Sequence, residues 1–330
     1  MMFFPSKKSK SSIKCVTYGG KLGWFLRKHF SKYTSYLYLK LQYLIRSPLF
    51  VRYINLFNKQ FAKGNTLLPC LISIETINRC NSTCSFCPAN KNDDKRPYQK
   101  MDETLFKKII GELKELNYAG YLNLYVNNEP FMDTRIEQWY KYAKENLPNA
   151  KMLLYTNGTL ITKERFEKII PYIDKMIINN YSESLTLHQN IKDLYQEVKQ
   201  NPVYQNKDIT IQIRYIKEIL TNRAGDAPNK SYKDKNNELC IMPFTDFTIY
   251  PSGIVGLCCS DAKEKTNLGN VTGKTLKEIW ESPLYQSLRK ALSQNRNNYP
   301  FCQGCDFIDA GIRNTFMKTM LRKYKDNQHD

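Results

Sequence analysis

Short apolar runs alternate with longer amphipathic segments between residues 71 and 215. The runs have the length of buried strands, and we predict strands at residues 71–77, 121–126, 151–155, 175–179 and 209–215. The segments between them carry apolar residues at helical spacing, and the first such helix is expected to begin after Asp102 as its N-cap. This alternation favours an α/β fold whose parallel strands curl into a partial (β/α)6 TIM-like barrel. Loops at the C-terminal ends of such strands form one mouth, where functional sites lie.

The alternation ends after residue 215, and a different pattern follows. Residues 216–239 form a long polar loop, and two short apolar runs flank Pro251-Ser252-Gly253 as a β-hairpin would. Helical patterns follow the hairpin and complete a small second domain. We therefore divide the chain into an N-terminal extension (1–69), a barrel (70–235) and a C-terminal domain of hairpin plus helix (236–330).

The N-terminal extension is basic and aromatic. It contains thirteen Lys or Arg and no Asp or Glu, in a chain of formal net charge +19. Its apolar residues, such as Leu41, Leu44 and Ile45, recur at helical spacing, and Ser47-Pro48 is expected to divide two short amphipathic helices. Such a segment suits an anionic membrane surface, and the alternative is that its apolar faces pack on the rest of the protein.

The expected compartment is the cytoplasm. No run approaches the roughly 18 apolar residues of a membrane span. The N-terminal lysines are not followed by the apolar stretch of a signal peptide. If the basic extension binds lipid, we expect the protein at the inner face of the membrane.

Three of the ten cysteines lie within eight residues after the first predicted strand, as Cys80, Cys84 and Cys87. In a chain of this length, clustered thiols more often bind metal than form disulfides. Thiolates are ligands of iron–sulfur clusters and of zinc. Three thiolates leave one corner of a four-iron cluster open to a small molecule, whereas zinc would need a fourth ligand that this loop lacks.

The CxxxCxxC spacing after a first barrel strand, with Phe86 before the last cysteine, resembles the radical S-adenosylmethionine (SAM) superfamily. The resemblance implies that the three cysteines bind a [4Fe–4S] cluster and that SAM occupies its open corner. It further implies that one electron cleaves SAM to a 5′-deoxyadenosyl radical, which removes hydrogen from the substrate. A flavodoxin or ferredoxin is the expected electron donor.

The loops after the later strands also resemble the superfamily. Asn127-Asn128-Glu129-Pro130 stands where Gly-Gly-Glu-Pro is usual, and Thr156-Asn157-Gly158 is a recurrent sequence at the mouth. Arg214 is expected on the inner face of its strand, because the isoleucines of that strand share the other face. The resemblance implies that SAM is contacted by Phe86, Asn128, Glu129, Pro130, Asn157, Ser182 and Arg214.

A second group of cysteines lies in the C-terminal domain. Cys240 and Cys258 fit C-x12-G-x4-C, and Cys302 and Cys305 follow as CxxC. This pattern resembles the SPASM domain and its shorter twitch form, which carry auxiliary clusters in some radical SAM enzymes. The resemblance implies one auxiliary [4Fe–4S] cluster on these four cysteines, with Cys258 preferred to Cys259 because it alone fits the glycine spacing. Zinc bound by the same thiols is the structural alternative.

A cluster with four protein ligands has no open corner, so its expected role is to accept an electron. Combined with hydrogen abstraction, this predicts the oxidation of an alcohol in a sugar, polyol or aminocyclitol, as in single-cluster dehydrogenases of the superfamily. The predicted substrate-contacting residues are Arg223, Asn222 and Tyr181, since side-chain donors before Cys240 can hold hydroxyl groups near the radical.

Three alternatives remain from the sequence. A SPASM-type enzyme could modify a peptide, although residues 1–69 lack the strand pattern of a peptide-binding winged helix. A sugar epimerase or dehydratase could use the same barrel, and an epimerase would need a hydrogen donor such as Cys259 or Cys70. A zinc-containing RNA-binding protein would explain the charge but not the ordered motifs at the strand ends, so no nucleic-acid partner is expected.

Overall fold

A computed structural model describes residues 13–17, 34–92, 94–230, 238–307 and 313–326, and the side chains of all of these except 17, 34–39, 42, 325 and 326. They form one mostly parallel sheet with associated helices, which confirms the predicted α/β class. The strands are β1 (Lys14–Thr17), β2 (Leu71–Ile74), β3 (Tyr121–Asn123), β4 (Lys151–Thr156), β5 (Lys175–Ser182), β6 (Asp208–Tyr215), β7 (Asp246–Ile249) and β8 (Val255–Gly256). The helices are α1 (Thr34–Ala62), α2 (Glu103–Glu115), α3 (Ile136–Asn146), α4 (Lys163–Ile169), α5 (Gln189–Gln200), α6 (Met242–Thr245), α7 (Leu276–Trp280), α8 (Pro283–Gln294) and α9 (Asn314–Asp326).

The sheet has the strand order β1-β6-β5-β4-β3-β2-β7-β8. All neighbouring strands are parallel except β7 and β8. The five strands predicted between residues 71 and 215 are therefore present as β2 to β6. A helix follows each of β2 to β5 and returns the chain to the start of the next strand, so the C-terminal ends of these strands share one edge.

Helix α2 shows how local sequence specifies these elements. Asp102 accepts hydrogen bonds from the backbone N–H groups of Thr104 (2.8 Å) and Leu105 (3.2 Å), which confirms the predicted N-cap. The buried residues of α2 recur at helical spacing and join the hydrophobic core: Phe106, Ile109, Ile110 and Leu113. The polar residues of the helix face solvent.

The prediction that Ser47-Pro48 divides two helices is wrong, because α1 is continuous through Pro48. Proline lacks the N–H that would bond to the carbonyl of Leu44. The Ser47 hydroxyl donates to that carbonyl instead, at 3.3 Å, and partly replaces the missing bond. Packing of the helix offsets the remaining cost.

The expectation of a purely helical N-terminal extension misses β1. This strand pairs in parallel with β6, with Lys14 opposite Thr210 and Thr17 opposite Ile213. Its four residues have no alternating pattern of their own. The hydrogen bonds that make it a strand come from a partner far along the chain, which local periodicity does not report.

The predicted C-terminal hairpin is present as β7 and β8, and its first strand also extends the barrel sheet. Residues of β7 pair in parallel with β2, from Leu71 opposite Asp246 to Ile74 opposite Ile249. Strand β2 leads directly into the first cysteine loop. The two cysteine-bearing parts of the chain are therefore joined through adjacent strands of one sheet.

Helix α1 packs on the C-terminal domain with one face. The Phe57 ring lies 5.6 Å from that of Phe244 and 6.0 Å from that of Trp280, and Tyr53 meets Phe316 of α9. The Tyr43 hydroxyl accepts the backbone N–H of Leu239. Among the described helices, none has the length and apolar character needed to cross a bilayer.

Candidate active site

The first cysteine loop begins six residues after β2, and polar groups contact its sulfurs. The Ser82 N–H donates to Cys80 Sγ at 3.4 Å, and Ser82 Oγ lies 3.0 Å from Cys84 Sγ. Burial raises the pKa of Cys80 to about 12 and of Cys84 to about 11. The metal-free thiols are therefore neutral at pH 7, and cluster assembly must displace their protons.

Glu129 connects three of the predicted cofactor-binding segments. Its carboxylate accepts hydrogen bonds from Thr156 Oγ1 (2.6 Å) and from the backbone N–H groups of Asn157 (2.7 Å) and Phe131 (3.2 Å). Its own N–H donates to the carbonyl of Arg79, next to the cysteine loop. Burial raises the pKa of Glu129 to about 7, although these hydrogen bonds oppose the rise.

Asn157 and the adjacent asparagine pair also face this region. Asn157 Nδ2 donates to Asn81 Oδ1 (2.8 Å) and lies 4.0 Å from Cys80 Sγ. Asn127 and Asn128 are buried, yet Asn127 Oδ1 and Asn128 Nδ2 find no hydrogen-bond partner within the described part of the chain. One unpaired acceptor and one unpaired donor thus remain in the segment just before Glu129, where Asn127 Nδ2 also donates to the Cys259 carbonyl at 3.3 Å.

Phe86, Tyr181 and Arg214 form a contiguous group that includes the aromatic residue of the cysteine loop. The rings of Phe86 and Tyr181 are 5.4 Å apart, and the Arg214 guanidinium lies 5.1 Å from the Tyr181 ring centre. Arg214 is on the inner face as predicted, and its Nε donates to Glu218 Oε1 at 2.7 Å. Its charge is therefore already balanced by a carboxylate. Ser182 exchanges hydrogen bonds with Thr186 and closes a turn.

The second cysteine group lines one cavity in the C-terminal domain. The four predicted ligands Cys240, Cys258, Cys302 and Cys305 all contribute to its wall, whereas Cys259 does not. The remaining wall is mostly apolar and includes one charged residue, Arg296. The structure thus brings together the four thiols that the C-x12-G-x4-C and CxxC patterns predicted as ligands.

Arg223 lies close to Cys87 of the first cysteine loop and to Cys259, the neighbour of Cys258 in the chain. Its Nη1 donates to the carbonyl of Cys259 at 3.0 Å. Burial raises the pKa of both the Cys87 and Cys259 thiols, and in both cases the Arg223 cation opposes the rise. Its φ of +50° lies in the left-handed region, so the loop turns sharply here.

Asn222 has a different environment from its neighbour. Its side chain donates to the carbonyl of Gly304 at 2.6 Å, and its backbone N–H donates to Asp306 Oδ1 at 2.7 Å. It is fully buried. Asn222 therefore fastens the Arg223 loop to the turn that carries Cys302 and Cys305.

Comparisons with known proteins identify the family. Residues 74–186 match the model of the radical SAM superfamily, and residues 240–306 match SPASM, an iron-sulfur cluster-binding domain. The first match contains the CxxxCxxC loop, and the second begins at Cys240 and ends one residue after Cys305. The chain belongs to the radical SAM superfamily.

The chain is also similar to individual proteins. The chain is 26% identical over 242 residues to the S-adenosyl-L-methionine-dependent 2-deoxy-scyllo-inosamine dehydrogenase of Niallia circulans, covering 73% of this chain and 94% of that protein. The crystal structure of BtrN in complex with AdoMet and 2-DOIA is similar, with a TM-score of 0.64, 24% identity and coverage of 73% and 94%. Streptococcus suis SuiB bound to precursor peptide SuiA has a TM-score of 0.51, 16% identity and coverage of 70% and 69%.

This radical SAM enzyme binds SAM and a [4Fe–4S] cluster through its barrel, and its SPASM domain binds an auxiliary cluster. The described residues fit both groups. The unpaired Asn127 Oδ1 and Asn128 Nδ2 can bond the amino and carboxylate groups of SAM. The four thiols of the second cavity, with a cation in its wall, suit an anionic cluster.

The sequence pattern did not single out Tyr125, Tyr155 or Asn127. The two tyrosine rings stack at 5.8 Å, deep among protein atoms yet partly solvent-accessible, which is typical of residues that line an internal cavity. Tyr125 interacts electrostatically with Arg223 and with Cys80 and Cys87. Tyr125 follows β3 and Tyr155 lies on β4, each just before a loop motif, which is the signal that could have identified them.

Proposed function

We propose that this radical SAM enzyme is an oxidoreductase that converts an alcohol of a sugar, polyol or aminocyclitol to a ketone. The relative from Niallia circulans supports this class of substrate, since that protein is a 2-deoxy-scyllo-inosamine dehydrogenase. The observation that carries the proposal is the position of Arg223, which interacts electrostatically with Cys87 of the first cysteine group and donates to the backbone carbonyl of Cys259, the residue next to Cys258 of the second. A substrate beside Arg223 would lie between the two cluster sites.

The electron balance agrees with this arrangement. When bound, SAM and its cluster supply the radical that removes one hydrogen atom from the carbinol carbon, and the auxiliary cluster takes one electron. With loss of the hydroxyl proton, the carbon has lost two electrons and two protons, and CHOH has become C=O. A low-potential one-electron donor such as flavodoxin or ferredoxin is proposed to supply the electron that cleaves SAM.

The roles of the chain follow from its donors and acceptors. Arg223 can donate to the substrate hydroxyl and stabilise negative charge on its oxygen as the proton leaves. The Tyr125 and Tyr155 hydroxyls can hold neighbouring hydroxyl or amino groups. Tyr181 lies against Phe86, so we place it beside SAM instead of the substrate. Asn222 positions the Arg223 loop.

The test separates SAM cleavage from ketone formation. Anaerobically reconstituted protein should contain about eight irons per chain and convert a cognate alcohol to ketone with one 5′-deoxyadenosine per product. Cys84→Ala should abolish SAM cleavage. Cys302→Ala should allow cleavage but stop ketone formation.

Cys15→Ser is the matched control, since Cys15 lies on β1 outside both cysteine groups. It should retain both activities. Ketone formation by Cys302→Ala at the wild-type rate, or a wild-type iron content of four, would overturn the role given to the auxiliary cluster.

An epimerase is the second candidate, and Cys259 is the observation in its favour. Of the two thiols considered as hydrogen donors, Cys259 is near Arg223, whereas Cys70 lies buried at the opposite end of β2. Deuterium incorporation from solvent into an unoxidised product, lost in Cys259→Ser, would favour epimerisation. An unchanged ketone yield in that variant would favour the dehydrogenase. Detection of a modified peptide as the product would contradict both the dehydrogenase and the epimerase.

We further propose that the outer face of α1 binds an anionic lipid surface. Leu41, Leu44 and Ile45 are 56%, 60% and 67% exposed, on the side of the helix opposite Phe50 and Phe57. Exposed Arg52 and Lys59 continue the same face. An apolar stripe with cations beside it suits the headgroup region of an anionic leaflet.

Vesicle co-sedimentation tests this surface. The wild-type enzyme should bind phosphatidylglycerol vesicles and not pure phosphatidylcholine vesicles. Leu44→Glu with Ile45→Glu should weaken binding more than about tenfold, since burial of each side chain contributes about 1.5–3 kcal/mol. The control is Leu284→Glu, which alters an equally exposed leucine on α8. Equal loss in the control, or no binding by the wild type, would refute the proposal.

A further inference from the structure

Arg296 is a buried arginine in the wall of the second cysteine cavity. It is 2% exposed, and it begins a short turn that follows α8. Among the residues that line the cavity, it alone carries a charge. Met242, Pro243, Leu257, Phe301 and Phe307 supply most of the remaining surface.

The hydrogen bonds of Arg296 hold the side chain in place but do not involve its Nε–H. Its Nη1 donates to the carbonyls of Cys305 (3.0 Å) and Phe307 (2.8 Å). Its Nε–H has no acceptor among the described residues. An unpaired buried donor costs about 1–3 kcal/mol, and more for a charged group.

An anionic iron–sulfur cluster would provide the missing acceptor. The Arg296 cation is already close enough to Cys240, Cys302 and Cys305 to interact with thiolates at these positions. The apolar wall reduces screening, so one positive charge has a large effect on the energy of an added electron. Hydrogen bonds to cluster sulfurs and local charge are two of the factors that set cluster reduction potentials.

We propose that Arg296 Nε–H donates to a sulfur of the auxiliary cluster and raises its reduction potential, which makes the oxidised cluster a better electron acceptor. This inference rests on the proposed role of the cluster in the oxidation. Arg296 acts here as a positioning and tuning residue, since it touches neither substrate nor the reacting carbon.

The test is an EPR-monitored redox titration of the full chain. The three cysteines of the first loop are replaced by alanine, so that only the auxiliary cluster contributes a signal. Arg296→Gln should lower the midpoint potential by at least the equivalent of a tenfold change in the reduction equilibrium, which is about 59 mV for one electron. Arg296→Lys keeps the charge but loses Nε–H, and should show a smaller decrease.

Arg289→Gln is the matched control. Arg289 is also buried, and it donates to the carbonyls of Pro243 and Trp280, but it is absent from the cavity wall. Its replacement should leave the potential unchanged. If Arg296→Gln fails to retain four irons, the midpoint potential of Arg296→Lys is compared with that of the wild type instead.

A potential equal to wild type in the Arg296 variant that retains the cluster would overturn the inference. A decrease of the same size in Arg289→Gln would also overturn it, because the effect would then be a general loss of packing. Absence of the auxiliary cluster from the wild-type chain would instead overturn the proposed function.

Discussion

At the scale of single residues, the motifs with fixed local spacing were the predictable part of the site. The CxxxCxxC loop and the Glu129-Pro130 pair are each contiguous in sequence, so both can be recognised from the sequence alone. The Glu218 partner of Arg214 was not foreseen, because this ion pair depends on how the chain turns after β6. Tyr125 and Tyr155 were missed since tyrosine in a strand is usually only a packing residue.

Glu129 should make SAM binding depend on pH. Burial raises its pKa to about 7, so the carboxyl is largely neutral below pH 7 and anionic above it. If the anion pairs with the amino group of SAM, affinity falls by up to about tenfold for each unit below pH 7. Glu129→Gln should bind SAM more weakly at pH 8 and lack this additional dependence in equilibrium dialysis between pH 6 and 8.

The wild-type enzyme and Glu129→Gln differ in no other titrating group. SAM titrates equally in both experiments, and so does Glu75, whose pKa burial also raises to about 7. Only the difference between their pH profiles reports on Glu129. Identical profiles would show that the carboxylate braces the Asn157 loop without pairing with SAM.

Arg223→Lys should separate substrate positioning from SAM binding. Lysine keeps the charge but lacks the planar fork that bonds the Cys259 carbonyl and leaves other donors for substrate. A displacement of the substrate by about 1 Å can cost about 100-fold in rate. Ketone formation should fall by about this factor while SAM affinity in equilibrium dialysis stays within about twofold. A fall in SAM affinity that matches the fall in rate would place Arg223 in the cofactor site instead.

At the scale of secondary-structure elements, apolar runs located β2 to β6, and capping chemistry located the start of α2. Two elements escaped this approach for physical reasons. Strand β1 is defined by hydrogen bonds to β6, and α1 passes through Pro48 because tertiary packing outweighs local propensity. Both errors lie in the N-terminal extension, where no adjacent strand or turn constrains the interpretation.

The turn after β4 should not tolerate a side chain at Gly158. Its φ is +80°, and an added Cβ would lie 2.6 Å from Ile178 Cγ2 and 2.6 Å from Ile191 Cδ1. Gly158→Ala should destabilise the protein by about 1–2 kcal/mol from backbone strain and about 1–3 kcal/mol from overpacking, measured by urea unfolding.

The matched change Gly111→Ala lies within α2, where an added Cβ meets no atom within 4 Å. It should stabilise the protein by about 0.5–1 kcal/mol, because alanine favours helix. Equal effects of the two substitutions would mean that the left-handed turn does not constrain residue 158.

At the scale of the whole molecule, the sequence pattern predicts three segments, and one sheet contains strands from all three. The extension supplies β1 at one edge, and the C-terminal domain supplies β7 and β8 at the other. Strand order of this kind depends on pairing between distant residues. The pattern along the chain identifies the elements but does not specify this order.

Substitution of Phe57 tests whether the N-terminal extension supports the fold of the domain that holds the auxiliary cluster. Phe57 is fully buried, and its ring meets Phe244, four residues after Cys240. Phe57→Ala should cost about 3–5 kcal/mol in unfolding free energy and lower the iron content of reconstituted protein from about eight toward four. Leu44→Ala, on the exposed face of the same helix, should change neither value. Full iron retention in Phe57→Ala would show that the helix is only an accessory layer.

The pairing of β1 with β6 also constrains the order of folding during synthesis. Lys14 leaves the ribosome long before Thr210, its partner in the sheet, and α1 emerges long before Phe244 and Phe316, on which it packs. The aromatic face of α1 therefore stays uncovered until Phe244 and Phe316 have been synthesised. Such long-range closure slows folding. We expect the nascent chain to depend on a chaperone, or on a surface that shields this helix, more than a barrel without the extension would.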